Sequence, residues 1–167
     1  MSERIVLGVD PSLRSTGYGI LSVVKRRGQV LGYGVISNPV SLSQSDCLLA
    51  IHRGIQAQIE KYHPTEFAIE STIYVQSYRT AIVLGAARGA SLLAAAQAGL
   101  SIHEYAPRKI KQAVVGRGGA QKHQVGFMIR TLLGLEATPP PDAADALATA
   151  LTHIQSLRAS QAGQPQK

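Results

Sequence analysis

The chain has 167 residues, and its 17 Lys and Arg against 10 Asp and Glu give a formal net charge of +7, a balance that favours a polyanionic partner such as nucleic acid. Its hydrophobic content of 45% argues against a disordered chain, and no apolar run reaches the length of about 18 residues that a membrane span needs. The single cysteine, Cys47, excludes an internal disulfide and a zinc site built from cysteines.

The N-terminal part predicts an antiparallel meander whose first strand ends on an acid. The first residues lack the order of a signal peptide, so we expect a cytoplasmic protein without a membrane partner. The apolar run at residues 5–9 predicts a buried strand, and Asp10 follows at its carboxyl end. Residues 20–24 and 29–37 predict the next two strands, joined by a basic turn at residues 25–28.

The middle of the chain alternates predicted helices with short strands. Residues 43–62 predict a helix from the spacing of their apolar residues, and residues 79–97 predict another that is rich in small residues. Residues 66–70 predict a buried strand that again ends on an acid, Glu70, and residues 101–105 predict the fifth strand. Two glycines in the second helix indicate close packing, either on the sheet or against the same helix of a second subunit.

The remainder of the chain predicts three further helices and a tail. The helices span residues 108–115, 121–133 and 142–157, and three prolines lead into the last of them. We expect residues 1–157 to form one α/β domain, with helices flanking the sheet, and the polar residues 158–167 to form a disordered tail.

Four acids are placed for a shared site, two at strand ends and two at the start of a helix. If the strands of Asp10 and Glu70 are parallel neighbours, both acids lie at one edge of the sheet, where ligands of α/β sheets collect. Asp142 and Asp145 are three residues apart and share one helix face. The structural alternatives are a turn partner for Asp10 and a helix cap for Asp142.

Clustered carboxylates in a basic protein predict a metal-dependent nuclease. Their hard oxygens suit Mg²⁺ or Mn²⁺, and two such ions can activate water and stabilise the leaving oxygen during attack on a phosphodiester. Lys111 and Lys122 flank a glycine-rich loop. They either approach the phosphate or are solvated lysines at helix ends.

Six segments form a pattern that covers nearly the whole chain. They are Gly8–Pro11 with Gly17–Gly19, Phe67–Glu70, Leu84–Gly89, Tyr105–Gly116, Gln121–Lys122 and Asp142–Leu147. Together they resemble the RuvC family of bacterial Holliday junction resolvases, within the ribonuclease H-like superfamily. The resemblance implies a five-stranded mixed sheet, in which a three-stranded antiparallel meander is followed by parallel strands, with helices on its faces.

The resemblance also implies a function and the residues that perform it. It implies a structure-selective endodeoxyribonuclease that resolves four-way junctions in recombination and repair, by symmetric nicks in two strands of like polarity. The family's metal-binding catalytic acids correspond to Asp10, Glu70, Asp142 and Asp145, with two Mg²⁺ or Mn²⁺ ions per site. Its basic residues near the scissile phosphate correspond to Lys111 and Lys122. We expect the DNA contacts to come from Tyr74, Tyr78, Arg79, Lys109, Lys111, Arg117 and Lys122.

Family members form homodimers through the helix at residues 79–97 and work with the branch-migration proteins RuvA and RuvB. The chain departs from the family pattern at Ser12, where glycine is usual, and at Ile73, where an aromatic residue is usual and Tyr74 follows. Ser77 and Val83 replace an Asn and a Lys. These departures bear on junction engagement and cleavage preference more than on metal chemistry.

Three other functions compete with this interpretation. One is a related ribonuclease H-like nuclease with another branched or hybrid substrate. A second is a kinase-like ATP-binding protein, because Asp10 with Gly17 and Gly19 resembles that phosphate loop, although such proteins are longer and have two domains. The third is a non-catalytic junction-binding protein, which would not need all four acids.

Overall fold

The computed structural model describes residues 4–24, 27–71, 77–116 and 122–162, without the side chains of residues 122, 161 and 162. The strands are β1 (Ile5–Asp10), β2 (Ser15–Val24), β3 (Arg27–Ser37), β4 (Glu66–Glu70) and β5 (Ser101–Tyr105). The helices are α1 (Gln44–Tyr62), α2 (Tyr78–Gln97), α3 (Pro107–Val115), α4 (Lys122–Leu133) and α5 (Pro141–Ala162). The elements follow the predicted order, so the α/β class is confirmed.

A single sheet contains these strands in the order β3-β2-β1-β4-β5. β2 pairs antiparallel with β1 and β3, whereas β4 runs parallel to both β1 and β5. The predicted mixed sheet, a meander followed by parallel strands, is therefore confirmed. Because Val9 lies beside Ile69 in the parallel pair, the next residues, Asp10 and Glu70, are at the same edge of the sheet.

Helices cover both faces of the sheet, and alternate residues of β1 and β4 supply two cores. Val6 and Ala68 join a buried cluster with residues of α3, α4 and α5. Leu7 and Phe67 join a second cluster with residues of α1 and α2. Burial of each large apolar side chain contributes about 1.5–3 kcal/mol. The central strands are thus held from both sides, which makes their ends fixed positions for a site.

Glycines in the first two strands let α5 lie directly on the backbone of the sheet. A Cβ atom added at Gly8 would overlap the carbonyl oxygen of Ala146, and one added at Gly17 would overlap that of Asp142. Gly17 pairs with Asp10 across β1 and β2. The close approach therefore brings the start of α5 to the strand end that carries the first acid.

β2 is longer than the sequence predicted. It begins at Ser15 rather than at residue 20. The added residues pair on both sides, with Gly17 opposite Asp10 of β1 and Val35 of β3. Main-chain hydrogen bonds, which any residue with an N–H group can make, extend the strand through a stretch that has no apolar alternation.

The last helix is also longer than predicted. α5 continues to Ala162, so residues 158–162 are helical rather than part of a disordered tail, and residues 163–167 lie outside the described part of the chain. Two kinds of contact support this end of the helix. Gln155 donates a hydrogen bond to a carbonyl of α3 at 3.3 Å, and Ser160 bonds the carbonyl of Ser156 at 3.1 Å. The polar composition of residues 158–162 gave no apolar spacing from which this extension of the helix could be predicted.

Candidate active site

The acids at the ends of β1 and β4 lie on the α5 side of the sheet. Side chains alternate along a strand, so Asp10 shares the face of Val6 and Glu70 shares the face of Ala68. Val6 and Ala68 both pack in the cluster beneath α5. Asp10 is partly buried and Glu70 is exposed. The structure thus places these two acids at one edge and on one face of the sheet.

The other two acids, Asp142 and Asp145, lie near the start of α5, and both are partly buried. The hydroxyl of Ser15 donates a hydrogen bond to the Asp142 carboxylate, which links the helix start to β2. The backbone of Asp142 also lies against Gly17, the β2 partner of Asp10. The unpaired N–H groups of a helix start favour negative charge, so α5 stabilises a carboxylate beside the strand acids.

Arg88 of α2 holds the end of β4. Its guanidinium donates a hydrogen bond to the carbonyl oxygen of Glu70 and forms an ion pair with Glu104 of β5 at 2.8 Å. On the neighbouring strand, the carbonyl of Tyr105 accepts a bond from the Ser71 amide at 2.8 Å. The backbone on both sides of Glu70 is therefore restrained, which limits where its carboxylate can reach.

Several predicted basic and aromatic residues lie on the helices that follow β4 and β5 in the chain. α3 directly follows β5 and carries Lys111, which is partly buried, and Lys109, whose ammonium lies 5.0 Å from the ring centroid of Tyr105. α2 begins with Tyr78, which is 84% exposed, and Arg79, which is also exposed. An exposed cation and an exposed aromatic ring are suited to phosphate and base contacts.

Two other predicted DNA contacts lie outside the described residues, and so does the position at which the family usually has an aromatic residue. Ile73, Tyr74 and Arg117 lie outside the described residues, and Lys122 is described only as the first residue of α4. Their roles stay predictions, and so do the catalytic roles of the four acids and Lys111.

Two departures from the family pattern have a structural explanation. Among the described non-glycine residues, positive φ is confined to His63, so Ser12 does not occupy a conformation that requires glycine. The amide of Ser12 donates to the Thr16 hydroxyl at 3.2 Å, and that hydroxyl donates to the Ser12 carbonyl at 2.7 Å. Ser77 caps α2, its hydroxyl accepting a bond from the Thr80 amide at 3.4 Å.

A buried polar cluster that the sequence did not predict lies at the other end of β4. His153 contacts Glu66 through its Nε2 atom, and its Nδ1 atom lies 2.6 Å from the Tyr105 hydroxyl. Arg4 pairs with the second carboxylate oxygen of Glu66 at 2.7 Å, and His103 Nε2 lies 3.8 Å from the first. Burial lowers the pKa of His153 and raises the pKa of Tyr105, so both side chains are neutral near pH 7.

This cluster escaped sequence reasoning because its members are far apart in the chain and lie on separate elements. Glu66 begins β4, His103 is in β5 and His153 is in α5. The one local signal was a histidine on an otherwise apolar helix face, beside Ala150 and Ile154, both buried. Four residues of strand, at about 3.3 Å each, separate Glu66 from Glu70, which corresponds to about 13 Å.

Comparison with known proteins identifies proteins of the same fold and the family to which they belong. The family model described as crossover junction endodeoxyribonuclease RuvC matches residues 6–153. A protein of that name from Akkermansia muciniphila is 54% identical over 151 residues, which cover 90% of each chain.

Solved structures agree with this match. The T. thermophilus RuvC in complex with Holliday junction substrate is 32% identical, with a TM-score of 0.87 over 94% of this chain and 96% of that one. The yeast mitochondrial Holliday junction resolvase is 11% identical, with a TM-score of 0.68 over 95% of this chain and 80% of that one, a likeness that shows the ribonuclease H-like fold alone. The chain therefore belongs to the RuvC family of crossover junction endodeoxyribonucleases.

Proposed function

We propose that this chain is a structure-selective endodeoxyribonuclease that resolves Holliday junctions in DNA recombination and repair by paired, symmetric nicks. The observation that carries the proposal is the sheet edge shared by Asp10 and Glu70, with Asp142 of α5 seated against it. Family membership supports the same reaction, since the T. thermophilus relative was solved with a Holliday junction substrate.

The four acids would hold two Mg²⁺ ions, with Mn²⁺ as a substitute. Carboxylate oxygens are the ligands these ions prefer, and the acids are carried on strand ends and on a helix packed directly onto the sheet. Carboxylates brought together repel one another, which further favours cation binding. When bound, two such metal ions activate a water molecule and stabilise the leaving oxygen of the phosphodiester.

The protein's own residues orient these groups and balance charge. Ser15 holds the Asp142 carboxylate through its hydroxyl, and so limits the orientations of that ligand. Lys111 is partly buried on α3, and we assign it to the negative charge that develops on the phosphate. We assign the same role to Lys122, which follows the glycine-rich loop in the sequence and begins α4.

The same edge would form the DNA-binding surface. Lys109 and Arg79 are exposed and would contact phosphates. Tyr78 is 84% exposed, and its ring is suited to stacking on an unpaired base at the junction centre. We also predict DNA contacts from Tyr74 and Arg117, which lie outside the described residues. The junction is recognised through its shape and its unstacked bases rather than through a duplex groove.

The exposed apolar side of α2 supports a homodimer, which would place two active sites on one junction. Ile82 and Leu93 are 55% and 53% exposed. Among the described residues, only the neighbouring backbone of α2 itself lies near a Cβ added at Gly85 or Gly89. Among the described helices, α2 has the length and apolar composition of a membrane span, and 22% of its apolar stretch is buried. We assign this face to the dimer contact of a cytoplasmic protein that works with RuvA and RuvB.

A cleavage assay with a labelled, mobile four-way junction tests the proposal. We expect symmetric nicks in the junction in the presence of Mg²⁺, no cleavage of matched duplex, and at least a 100-fold loss of rate in Asp10→Asn. Tight junction binding without cleavage in Mg²⁺ or Mn²⁺ would leave a binding protein. Cleavage of another branched or hybrid substrate in preference to the junction would redirect the proposal to a related nuclease.

A further inference from the structure

The cluster of Glu66, His103 and His153 has the ligand geometry of a metal centre. Its three ligand-type atoms, one carboxylate oxygen and two imidazole nitrogens, lie within 4.8 Å of one another. The Nε2 atoms of both histidines are directed at the same oxygen of Glu66, the farther one at 3.8 Å. Zinc ligands at about 2.0–2.1 Å in tetrahedral geometry are about 3.3 Å apart, so small side-chain adjustments suffice to bind an ion.

The groups around the three side chains fit the same role. The Nδ1 atom of His153 lies 2.6 Å from the Tyr105 hydroxyl, which leaves Nε2 as the nitrogen available to a metal. Arg4 holds the second oxygen of Glu66 at 2.7 Å and fixes the direction of the first. Such outer partners orient metal ligands and strengthen binding.

The cluster is also accessible from one side. Glu66 and His153 are buried, whereas the His103 side chain is 37% exposed. An ion can therefore enter past His103 and keep a water molecule in its fourth position. Two imidazoles and one carboxylate suit Zn²⁺ and related late first-row ions, whereas Mg²⁺ prefers oxygen ligands alone. The chemistry of this site thus differs from that of the four carboxylates.

We propose that Glu66, His103 and His153 form a zinc site, separate from the active site, that cross-links β4, β5 and α5. The site lies at the opposite end of β4, about 13 Å from Glu70 by strand rise. Its ion does not reach the phosphodiester. Instead, it joins β4 and α5, which carry proposed catalytic acids, to β5, whose last residue, Tyr105, pairs with Glu70. It also stabilises the folded chain by linkage between binding and folding.

Calorimetric titration of the metal-free protein with Zn²⁺, in excess Mg²⁺, tests the site. We expect Asp10→Asn to bind zinc like the unmodified chain, and His103→Ala to bind it at least about 10-fold more weakly at one site. His123→Ala removes an exposed histidine of α4 and serves as the matched control, with unchanged binding. Equal zinc binding by His103→Ala and the unmodified chain would overturn the proposal, as would loss of binding in Asp10→Asn alone.

A second readout separates ligation from folding. Because the His103 side chain is partly exposed, its removal opens no enclosed cavity, and circular dichroism should show an unchanged fold. Zinc should raise the melting temperature of the unmodified chain and of His123→Ala, but not that of His103→Ala or Glu66→Gln. Co²⁺ should give the visible absorption bands of a nitrogen- and oxygen-ligated ion in the first two proteins only. Bands that persist in both cluster variants would sink the assignment.

Discussion

At the scale of single residues, hydrogen-bond partners decide how well a ligand or a charge is placed. The Asp142 carboxylate has a partner on another element, the hydroxyl of Ser15, so its orientation depends on the pairing of β2 as well as on α5. On α3, the partly buried Lys111 and the exposed Lys109 are two positions apart and differ in surroundings. Substitutions of Ser15, Lys111 and Lys109 should therefore affect different steps: the orientation of a metal ligand, the rate of cleavage and the binding of DNA.

Ser15→Ala should lower the cleavage rate about 10-fold and raise the Mg²⁺ concentration needed for half-maximal activity. A hydrogen bond to a charged group contributes about 1.5–3 kcal/mol, part of which orients the Asp142 ligand. The measurement is single-turnover junction cleavage across a Mg²⁺ series. Ser41→Ala, at an exposed loop position, is the control. An unchanged Mg²⁺ dependence in Ser15→Ala would show that the hydroxyl does not orient a metal ligand.

Lys111→Ala should reduce single-turnover cleavage by about 10²-fold while junction affinity changes little. A cation that acts on transition-state charge contributes more to the rate than to ground-state binding. Lys109→Ala on the same helix should show the opposite pattern, with weaker binding and a smaller salt dependence of affinity. Parallel binding and cleavage measurements check both. If the two variants lose affinity and rate in the same proportion, Lys111 is a binding residue.

At the scale of elements, the close packing of α5 on β1 and β2 brings its two acids to the candidate active site. Helix and strand bounds followed largely from apolar spacing. The structure adds that Ser43 caps α1, its hydroxyl accepting a bond from the Asp46 amide at 3.1 Å. Apolar spacing says nothing of which helix covers which face. The position of the last two acids follows from contacts of α5 with β1 and β2, where its backbone lies against Gly8 and Gly17 and Ser15 bonds Asp142.

Gly8→Ala should lower the free energy of unfolding by about 3 kcal/mol, because the added methyl group overlaps the backbone of α5 at Ala146. Cleavage should fall with it, since α5 carries Asp142 and Asp145. Urea denaturation and junction cleavage together measure the effect. Gly126→Ala on α4 is the control. The Cβ added there would lie 3.3 Å from a side-chain methyl carbon of Thr138 and would not overlap the backbone of another element. Equal stability of the two variants would show that α5 can move away from β1 without cost.

At the scale of the whole molecule, α2 presents an apolar surface that the single chain does not cover. Its buried side packs through small residues, Ala87, Ser91, Ala94 and Ala95, and its other side leaves large apolar residues exposed. Such a surface is suited to the same helix of a second subunit, in a two-fold dimer. A dimer would align two active sites with the two strands that a resolvase must cut.

Gly85→Leu should weaken or abolish the dimer while leaving the fold of each subunit intact. Apart from the neighbouring backbone of α2 itself, no described atom lies within 4 Å of the added Cβ, so a leucine there has room and is directed at the proposed partner. Sedimentation velocity measures the oligomeric state, and Ala57→Leu, at an exposed position of α1, is the matched control. A Gly85→Leu protein that remains dimeric would place the contact elsewhere. A monomeric variant should nick junctions without coordination of the two cuts.

The sequence by itself determined the features that local pattern and composition encode. Apolar runs marked the strands, and the acids at the ends of β1 and β4 followed directly from them, with β4 found at its observed bounds. The short motifs spread along the chain were sufficient to indicate the family. These inferences succeeded because each depends on neighbours within a few residues along the chain.

Only the tertiary structure decided which distant residues meet. It placed α5 on the glycines of β1 and β2, continued that helix to Ala162, and brought together Glu66, His103 and His153 from three elements. Contacts between residues far apart in sequence arise from packing of whole faces, and no local spacing records them. The candidate zinc site therefore emerged from the fold, whereas the four acids proposed for catalysis could be singled out from the sequence.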